Sequence, residues 1–267
     1  MRLTGGGRAL EQLAGPAAGG PPRAPRRWRM IRTGPDLWRH ASGVGDQPWL
    51  RRPVPAAARE ALQHSLLFPL TRAIARPRVV GADELMHAPQ PAVIAPNHAS
   101  DIDTPLILAA LPRCWRARTV VGAAAERFYC KPAHALLAGL WINTFPFDRG
   151  ADLRGLAAAA ELIRAGHNVL LYAQATRSAG QLEGFRTGVA RLCLATRTPL
   201  IPVHVGGTAL IMPKDRWLLQ RGRATVTFGG PLYPLDGEHP HDLIERAQGA
   251  IATLAATQRL LAARSRP

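Results

Sequence analysis

The sequence predicts a single α/β domain built on one sheet. Short apolar runs alternate with helical stretches from about residue 90 onward. Such alternation favours one sheet with mixed or parallel pairing over separate helical and all-β units. Apolar residues make up 47% of the 267 and charged residues 19%, the composition of ordinary globular material. At this length a single core can bury most of its apolar surface without disulfide or metal staples.

The elements follow in chain order. Residues 1–50 hold 9 Gly and 6 Pro and no sustained periodicity, so residues 1–54 read as a disordered, basic Gly/Pro/Arg-rich tail. The tail lacks the continuous apolar stretch of a secretory signal, and Met30 offers a second start. The domain is expected over 55–267. Within Ala56–Ile74, Leu62, Leu66, Leu70 and Ile74 recur four apart as a helical stripe, with Arg59, Arg72 and Arg76 off it. Two readings stay open: the stripe rests on the domain core, or it dips into an anionic lipid surface. Pro69 kinks the helix under either reading. Strands are expected at Ala92–Ala95, Arg118–Val121, Thr144–Phe147, Asn168–Ala173, Leu200–Val205 and Ala224–Phe228. Helices are expected at Pro105–Leu111, Ala133–Trp141, Ala151–Ala165 and Phe185–Thr196, with a last one from His241 to about Ala263.

Charge and motifs narrow the function. The formal net charge is +16, yet only Lys131 and Lys214 are lysines among 34 basic residues. That skew, beside abundant Ala, Gly and Pro, is what a GC-rich coding bias writes. Anionic ligands or lipid share the remaining weight, and nucleic acid rests on charge alone. Cys114, Cys130 and Cys193 form no CxxC pair and are odd in number, so a disulfide framework and a zinc ribbon are excluded and a reducing, intracellular setting is expected. No stretch reaches the roughly 18 apolar residues of a spanning helix. A P-loop, a GxSxG elbow and HExxH are all missing. His239 and His241 sit in a Pro-rich loop and read as solvated rather than as metal ligands.

Four segments carry polar groups at strand ends. In Ala92–Pro112 a strand runs out at Ala95, Pro96-Asn97-His98 turns the chain, and Thr104 with Pro105 reads as a helix N-cap and first turn. His98 and Asp103 are five apart, too divergent to pair on one continuous helix but able to meet across a turn. An aspartate on one imidazole nitrogen fixes the tautomer and makes the other nitrogen a general base. Asp101 competes for that role, and spacing does not choose; an ordinary capped helix with a surface histidine is the alternative. The second segment, Asn143–Gly150, delivers Asp148 and Arg149. The third brings Gln174, Thr176, Arg177 and Ser178 after a strand, then Arg186 and Gly188 at a helix start, where amides favour an anion. Arg149, Arg177 and Arg186 together suit a phosphate by bidentate hydrogen bonding. In the fourth, Pro202 inside the strand Pro199–Val205 suggests an edge or a bulge, and His204 reads as core.

In this order and at these distances, the four segments resemble the 1-acyl-sn-glycerol-3-phosphate acyltransferase family of glycerolipid acyltransferases. Asn97-His98-Ala-Ser-Asp-Ile-Asp103 matches the family's Asn-His-x4-Asp block in full. Phe145-Pro-Phe-Asp-Arg149 resembles the second block and Ile201-Pro202-Val203 the fourth, and the likeness covers roughly residues 62–232. The third block departs: the family reads Phe-Pro-Glu-Gly-Thr-Arg-Ser, whereas this chain has Tyr172-Ala173-Gln174-Ala175-Thr176-Arg177-Ser178. Glutamine cannot act as a carboxylate, and Ala175 adds a methyl group where a backbone approaches closely.

The resemblance implies a glycerol-3-phosphate acyltransferase-like fold with a mixed, mostly parallel sheet between helices. It implies acyl transfer from acyl-CoA or acyl-carrier protein to a hydroxyl of a lysophosphatidate-like acceptor, with no metal or redox cofactor. His98 would be the general base with Asp103 behind it, and a helix N-terminus would hold the oxyanion. Asn97, Arg149, Gln174, Thr176, Arg177, Ser178 and Arg186 would bind the acceptor. A cytoplasmic location with peripheral contact on the inner membrane face is the expected setting. The altered third block keeps two further readings in play: a non-lipid or specialised-metabolite acceptor, and a non-catalytic lipid-binding protein.

Overall fold

The computed structural model describes residues 44–147, 153–174, 182, 184–213 and 219–264. Seven strands form one sheet: β1 (Arg78–Val80), β2 (Val93–Pro96), β3 (Thr119–Ala124), β4 (Thr144–Phe147), β5 (Asn168–Leu170), β6 (Leu200–Gly206) and β7 (Thr225–Phe228). Their spatial order is β1-β7-β6-β2-β5-β3-β4, and every pairing is parallel except β6 with β7. The expected mixed, mostly parallel sheet is present, with one strand more than the six runs suggested. The extra strand, β1, is three residues long and lies at an edge with Val79 40% exposed, too short and too wet to leave an apolar run.

β2 lies near the middle and reads Val-Ile-Ala-Pro, every residue buried, as a strand covered on both faces should. Alternate side chains feed two cores. Val93 and Ala95, with Val169, Leu171 and Leu200, pack under α8 (Leu153–Arg164), α9 (Gly188–Thr196) and α11 (Pro240–Arg264). Ile94, Leu170, Ile201 and Val203 pack on the other face against Phe68, Leu106, Ile107 and Trp115. The result is a helix–sheet–helix sandwich. The helices of the second face include α1 (Pro53–Leu62), a π turn over Gln63–Leu67, α2 (Phe68–Ala75), α3 (Ala82–His87), α4 (Asp103–Ala110) and α5 (Arg113–Arg118). Beyond β3 come α6 (Ala125–Phe128) and α7 (Pro132–Ile142), and α10 (Thr208–Ile211) follows β6.

Two expectations need correction, and the alternatives at Pro202 are decided. The expected tail reached residue 54, but residues 44–54 are folded onto the domain. Leu50 is 3% exposed and meets Gly139 of α7, Arg51 pairs with Asp46 at 2.6 Å, and Arg51 also donates to the Thr144 carbonyl at 3.2 Å. Residues 1–43 lie outside the described residues.

The stripe Leu62–Ile74 rests on the core only at its end: Ile74 packs there half-buried, whereas Leu66 and Leu70 are 48% and 52% exposed. The face turned inward carries Arg59, Gln63, Phe68, Thr71 and Ala75. Its steps are four, five, three and four, and the five spans the π turn, where Phe68 N–H reaches back to the Gln63 carbonyl. Pro69 has no N–H to continue an α ladder there, so the helix re-phases rather than breaks.

Pro202 is not on an edge strand, since β6 lies between β2 and β7. The bulge is real and sits on the neighbouring chain segment. Val203 faces Phe228 and Leu200 faces Leu232, so two residues of β6 oppose three (Gly229, Gly230, Pro231). The Pro202 carbonyl accepts from Gly229 N–H at 2.9 Å on that side, where a missing donor breaks no regular ladder.

Candidate active site

The carboxyl ends of the parallel strands gather the polar segments, the usual place for a site in an open α/β sheet. The segment after β2 is built first. Asn97 is 3% exposed, and its side-chain amide extends the β2–β6 ladder past the end of β2. Its Nδ2 donates to the Val205 carbonyl at 3.0 Å, and its Oδ1 accepts Val205 N–H at 2.7 Å. Asn97 therefore positions the turn rather than presenting its amide to a ligand. The sequence reading had it among the acceptor-binding residues.

His98 follows directly. Its Nδ1 lies 3.0 Å from Asp103 Oδ2, and the same oxygen accepts the N–H groups of Ala99 at 2.7 Å and Ser100 at 2.8 Å. Asp103 is fully buried, whereas the His98 side chain keeps 13% of its surface open. A carboxylate accepting three donors holds Nδ1 as the protonated ring nitrogen and leaves Nε2 with its lone pair. Asp101, the competitor, faces away: both its oxygens take Arg127 at 3.0 Å in an exposed, forked pair. The choice between the two aspartates falls on Asp103.

The helix entry differs from the sequence reading in a way that explains this. Asp103, not Thr104, opens α4, and its carboxylate turns back onto the loop amides that precede it. Thr104 caps nothing; its hydroxyl shares a 2.7 Å hydrogen bond with that of Tyr172. The Ala99 and Ser100 N–H groups are thus spent on Asp103. Ser100 is tied down as well, its hydroxyl donating to the Met212 carbonyl at 2.8 Å.

The segment leaving β5 supplies the other wall. Gln174, 4% exposed, accepts His98 N–H on Oε1 at 2.8 Å and bridges to Phe185. Its amide oxygen is thus bound to the turn that carries His98. Tyr172 lies against the His98 imidazole, ring centroids 4.0 Å apart and planes 29° apart. Burial, followed by the charge of Asp103, pushes the Tyr172 phenol well up, so it stays neutral. Sequence reasoning missed Tyr172; its aromatic character at the end of an apolar strand was the available signal.

Arg186 is exposed, two residues ahead of α9, and its N–H donates to the Ala173 carbonyl at 2.9 Å. Arg149, Thr176, Arg177 and Ser178 lie outside the described residues. His204, read as core, is half-buried with Nδ1 2.7 Å from Gln258 Oε1, and burial lowers its pKa. His241 pairs with Glu245 at 3.2 Å on the surface of α11. Among the described residues no His, Cys, Asp or Glu cluster forms a metal site. No helix there is long and apolar enough to cross a membrane.

A buried aspartate behind a strand-end histidine, on a mostly parallel α/β sheet, is an arrangement able to act as a general base. Residues 76–206 match the Acyltransferase family model. The 1-acyl-sn-glycerol-3-phosphate acyltransferase of Cocos nucifera is 28% identical over 149 residues, 53% of this chain and 46% of that protein. The chloroplastic 1-acyl-sn-glycerol-3-phosphate acyltransferase BAT2 of Brassica napus is 29% identical over 107 residues, 39% of this chain and 30% of that protein. The matches thus span half or less of those relatives' lengths. The fold matches the crystal structure of the 1-acyl-sn-glycerophosphate (LPA) acyltransferase PlsC from Thermotoga maritima with a TM-score of 0.56 over 86% of each chain, at 20% identity. By these comparisons the chain is similar to the acyltransferases over just under half of its length, with 1-acyl-sn-glycerol-3-phosphate acyltransferases among the proteins it resembles.

Proposed function

We propose that this chain moves an acyl group from a thioester, acyl-CoA or acyl-carrier protein, to the hydroxyl of a lysophosphatidate-type acceptor. The observation that carries the reading is the His98–Asp103 contact at 3.0 Å on a side chain that keeps an open edge. His98 Nε2 takes the acceptor's hydroxyl proton, and Asp103 holds the imidazolium that forms. The alkoxide oxygen bonds to the thioester carbonyl carbon, and collapse of the tetrahedral adduct breaks the C–S bond. The proton on Nε2 then goes to the departing thiolate. Ester and free thiol are the products, and no oxidant or metal enters the balance.

Arg149, Thr176, Arg177, Ser178 and Arg186 are assigned to the acceptor's phosphate, where guanidinium forks recognise its oxygens. Gln174 favours the lysolipid reading over a changed acceptor. Its amide oxygen accepts an N–H of the protein itself, a task an amide does as well as a carboxylate. The lipid bilayer is the proposed partner surface, a peripheral contact on the cytoplasmic side of the membrane. Leu66 and Leu70 point outward from α1–α2 with Arg72 and Arg76 exposed beside them, the pairing of apolar and basic groups that suits anionic lipid.

The test is release of free thiol from acyl-CoAs of several chain lengths, with and without lysophosphatidate. The expected result is acceptor-dependent release that falls on the order of 10²–10⁴-fold in His98→Ala while the circular dichroism spectrum is kept. Retained release in the variant would overturn the mechanism. Silence of the wild type with lysophosphatidate would shift the acceptor to another hydroxyl compound.

A further inference from the structure

The loop that carries His98 is bound on its backbone side by Asn97, Gln174 and Asp103, but the imidazole ring itself has two neighbours of a different kind. One edge meets Asp103 through Nδ1. One face meets Tyr172 at 4.0 Å between centroids. Tyr172 is in turn fastened through its hydroxyl to Thr104, the residue after Asp103 on α4. The side chains close a ring of contacts, His98 to Asp103, along one residue of helix to Thr104, to Tyr172, and back to His98. The two hydroxyl partners are 68 residues apart, one on α4 and one just past β5, so the ring ties the histidine to both elements.

We propose that Tyr172 is a positioning residue for the reaction, a clamp that holds the His98 ring in the plane of its Asp103 contact through the stacked face and keeps itself in place through Thr104. This inference rests on the reading of His98 as the base. A single hydrogen bond from Nδ1 leaves the imidazole free to rock about the Nδ1···Oδ2 axis. A stacked ring on one face opposes that rocking, and an aromatic face also favours the imidazolium formed during the reaction. Tyr172 cannot drift from the imidazole without losing the Thr104 hydrogen bond. Displacing a catalytic group by about 1 Å costs on the order of 10²-fold in rate.

The test compares Tyr172→Phe, Tyr172→Leu and Thr104→Val with wild type, and reads both turnover and the His98 ring by ¹H–¹⁵N NMR. Tyr172→Leu is expected to lower kcat by on the order of 10–10²-fold with the acceptor and donor KM unchanged. It is also expected to broaden or lose the downfield Nδ1 proton and to mix the ring tautomers. Tyr172→Phe keeps the stacked face and loses only the hydroxyl, so kcat falls by a few-fold, and Thr104→Val reproduces that fall without adding to it in the double variant. Tyr172→Leu with full kcat and an unchanged Nδ1 signal would overturn the clamp. A loss of turnover with the His98 signals intact would overturn it equally, because the role would lie elsewhere. Should Tyr172→Leu fail to fold, the Phe and Val variants and their double carry the test alone. Failure of the acyltransfer reading looks different: His98→Ala keeps its turnover whatever Tyr172 does, whereas the NMR comparison needs no substrate.

Discussion

The turn after β2 and the helix pair over Pro53–Ala75 are built by opposite means. In the turn from Asn97 to Asp103, every residue but His98 and Asp101 is buried, and the polar groups of Asn97, His98, Ala99, Ser100 and Asp103 are tied to partners on β6, α4, the segment after β5 and the end of α10. In the helix pair, Leu66 and Leu70 are about half exposed while a glutamine and a threonine face inward. The turn is fixed by directional bonds with little freedom for substitution. The helix pair is fixed by a few buried groups, and its outer face leaves two leucines about half exposed.

The largest effect that would break this contrast lies at Asp103. Asp103→Ala strands three donors, two of them backbone N–H groups in a buried turn, and each buried unsatisfied group costs about 1–3 kcal/mol. The variant should lose several kcal/mol in denaturant unfolding and nearly all thiol release. Asp101→Ala removes an exposed pair with Arg127, so its stability should change by less than about 1 kcal/mol and its rate by no more than a few-fold. Equal losses at the two aspartates would mean the turn is not organised around Asp103.

A second pair of substitutions sharpens the helix side. Phe68 is 1% exposed, and truncation to alanine should cost about 3–5 kcal/mol, read as a shift in the urea midpoint. Leu66→Gln with Leu70→Gln should change stability by no more than about 1 kcal/mol in total, as exposed positions do. The same double variant should lose flotation with anionic phospholipid vesicles. Vesicle binding that survives it would move the membrane contact to another face.

What the sequence made legible follows the same division. His98, Asp103 and their five-residue spacing are local, and so are the apolar runs of β2, β4 and β6. The partners that give the turn its form are remote: Val205 is 108 residues beyond Asn97, and Gln174 is 76 beyond His98. Nothing in a local pattern shows that an asparagine completes a strand ladder or that a glutamine holds a backbone N–H. The Thr104 cap failed for a related reason, since a hydroxyl partner 68 residues away, on the segment after β5, outcompeted the helix start. The leucine stripe failed because a period of four assumes an unbroken α-helix, and the π turn before Pro69 shifts the phase by one residue. Sidedness depends on that one residue.

The smallest expected effect concerns pH and again separates two regions. His204, on β6 against Gln258, and His167, at the opposite end of β5, both have lowered pKa values. Burial is the first cause in each; for His167 the nearby charge of Arg51 comes next. A histidine whose folded pKa lies below its ordinary value of about 6.5 binds its proton more readily in the unfolded chain. Its contribution to stability is therefore complete above that value and is lost as the pH falls below it. The midpoint of thermal unfolding should decline as pH drops from about 7 toward 5, and His204→Gln should flatten part of that decline while leaving the midpoint at about pH 8 nearly unchanged. His167→Gln should flatten a separate part, and because the two sites share no contact their effects should add. A decline that neither substitution alters would place the acid sensitivity in other titratable groups.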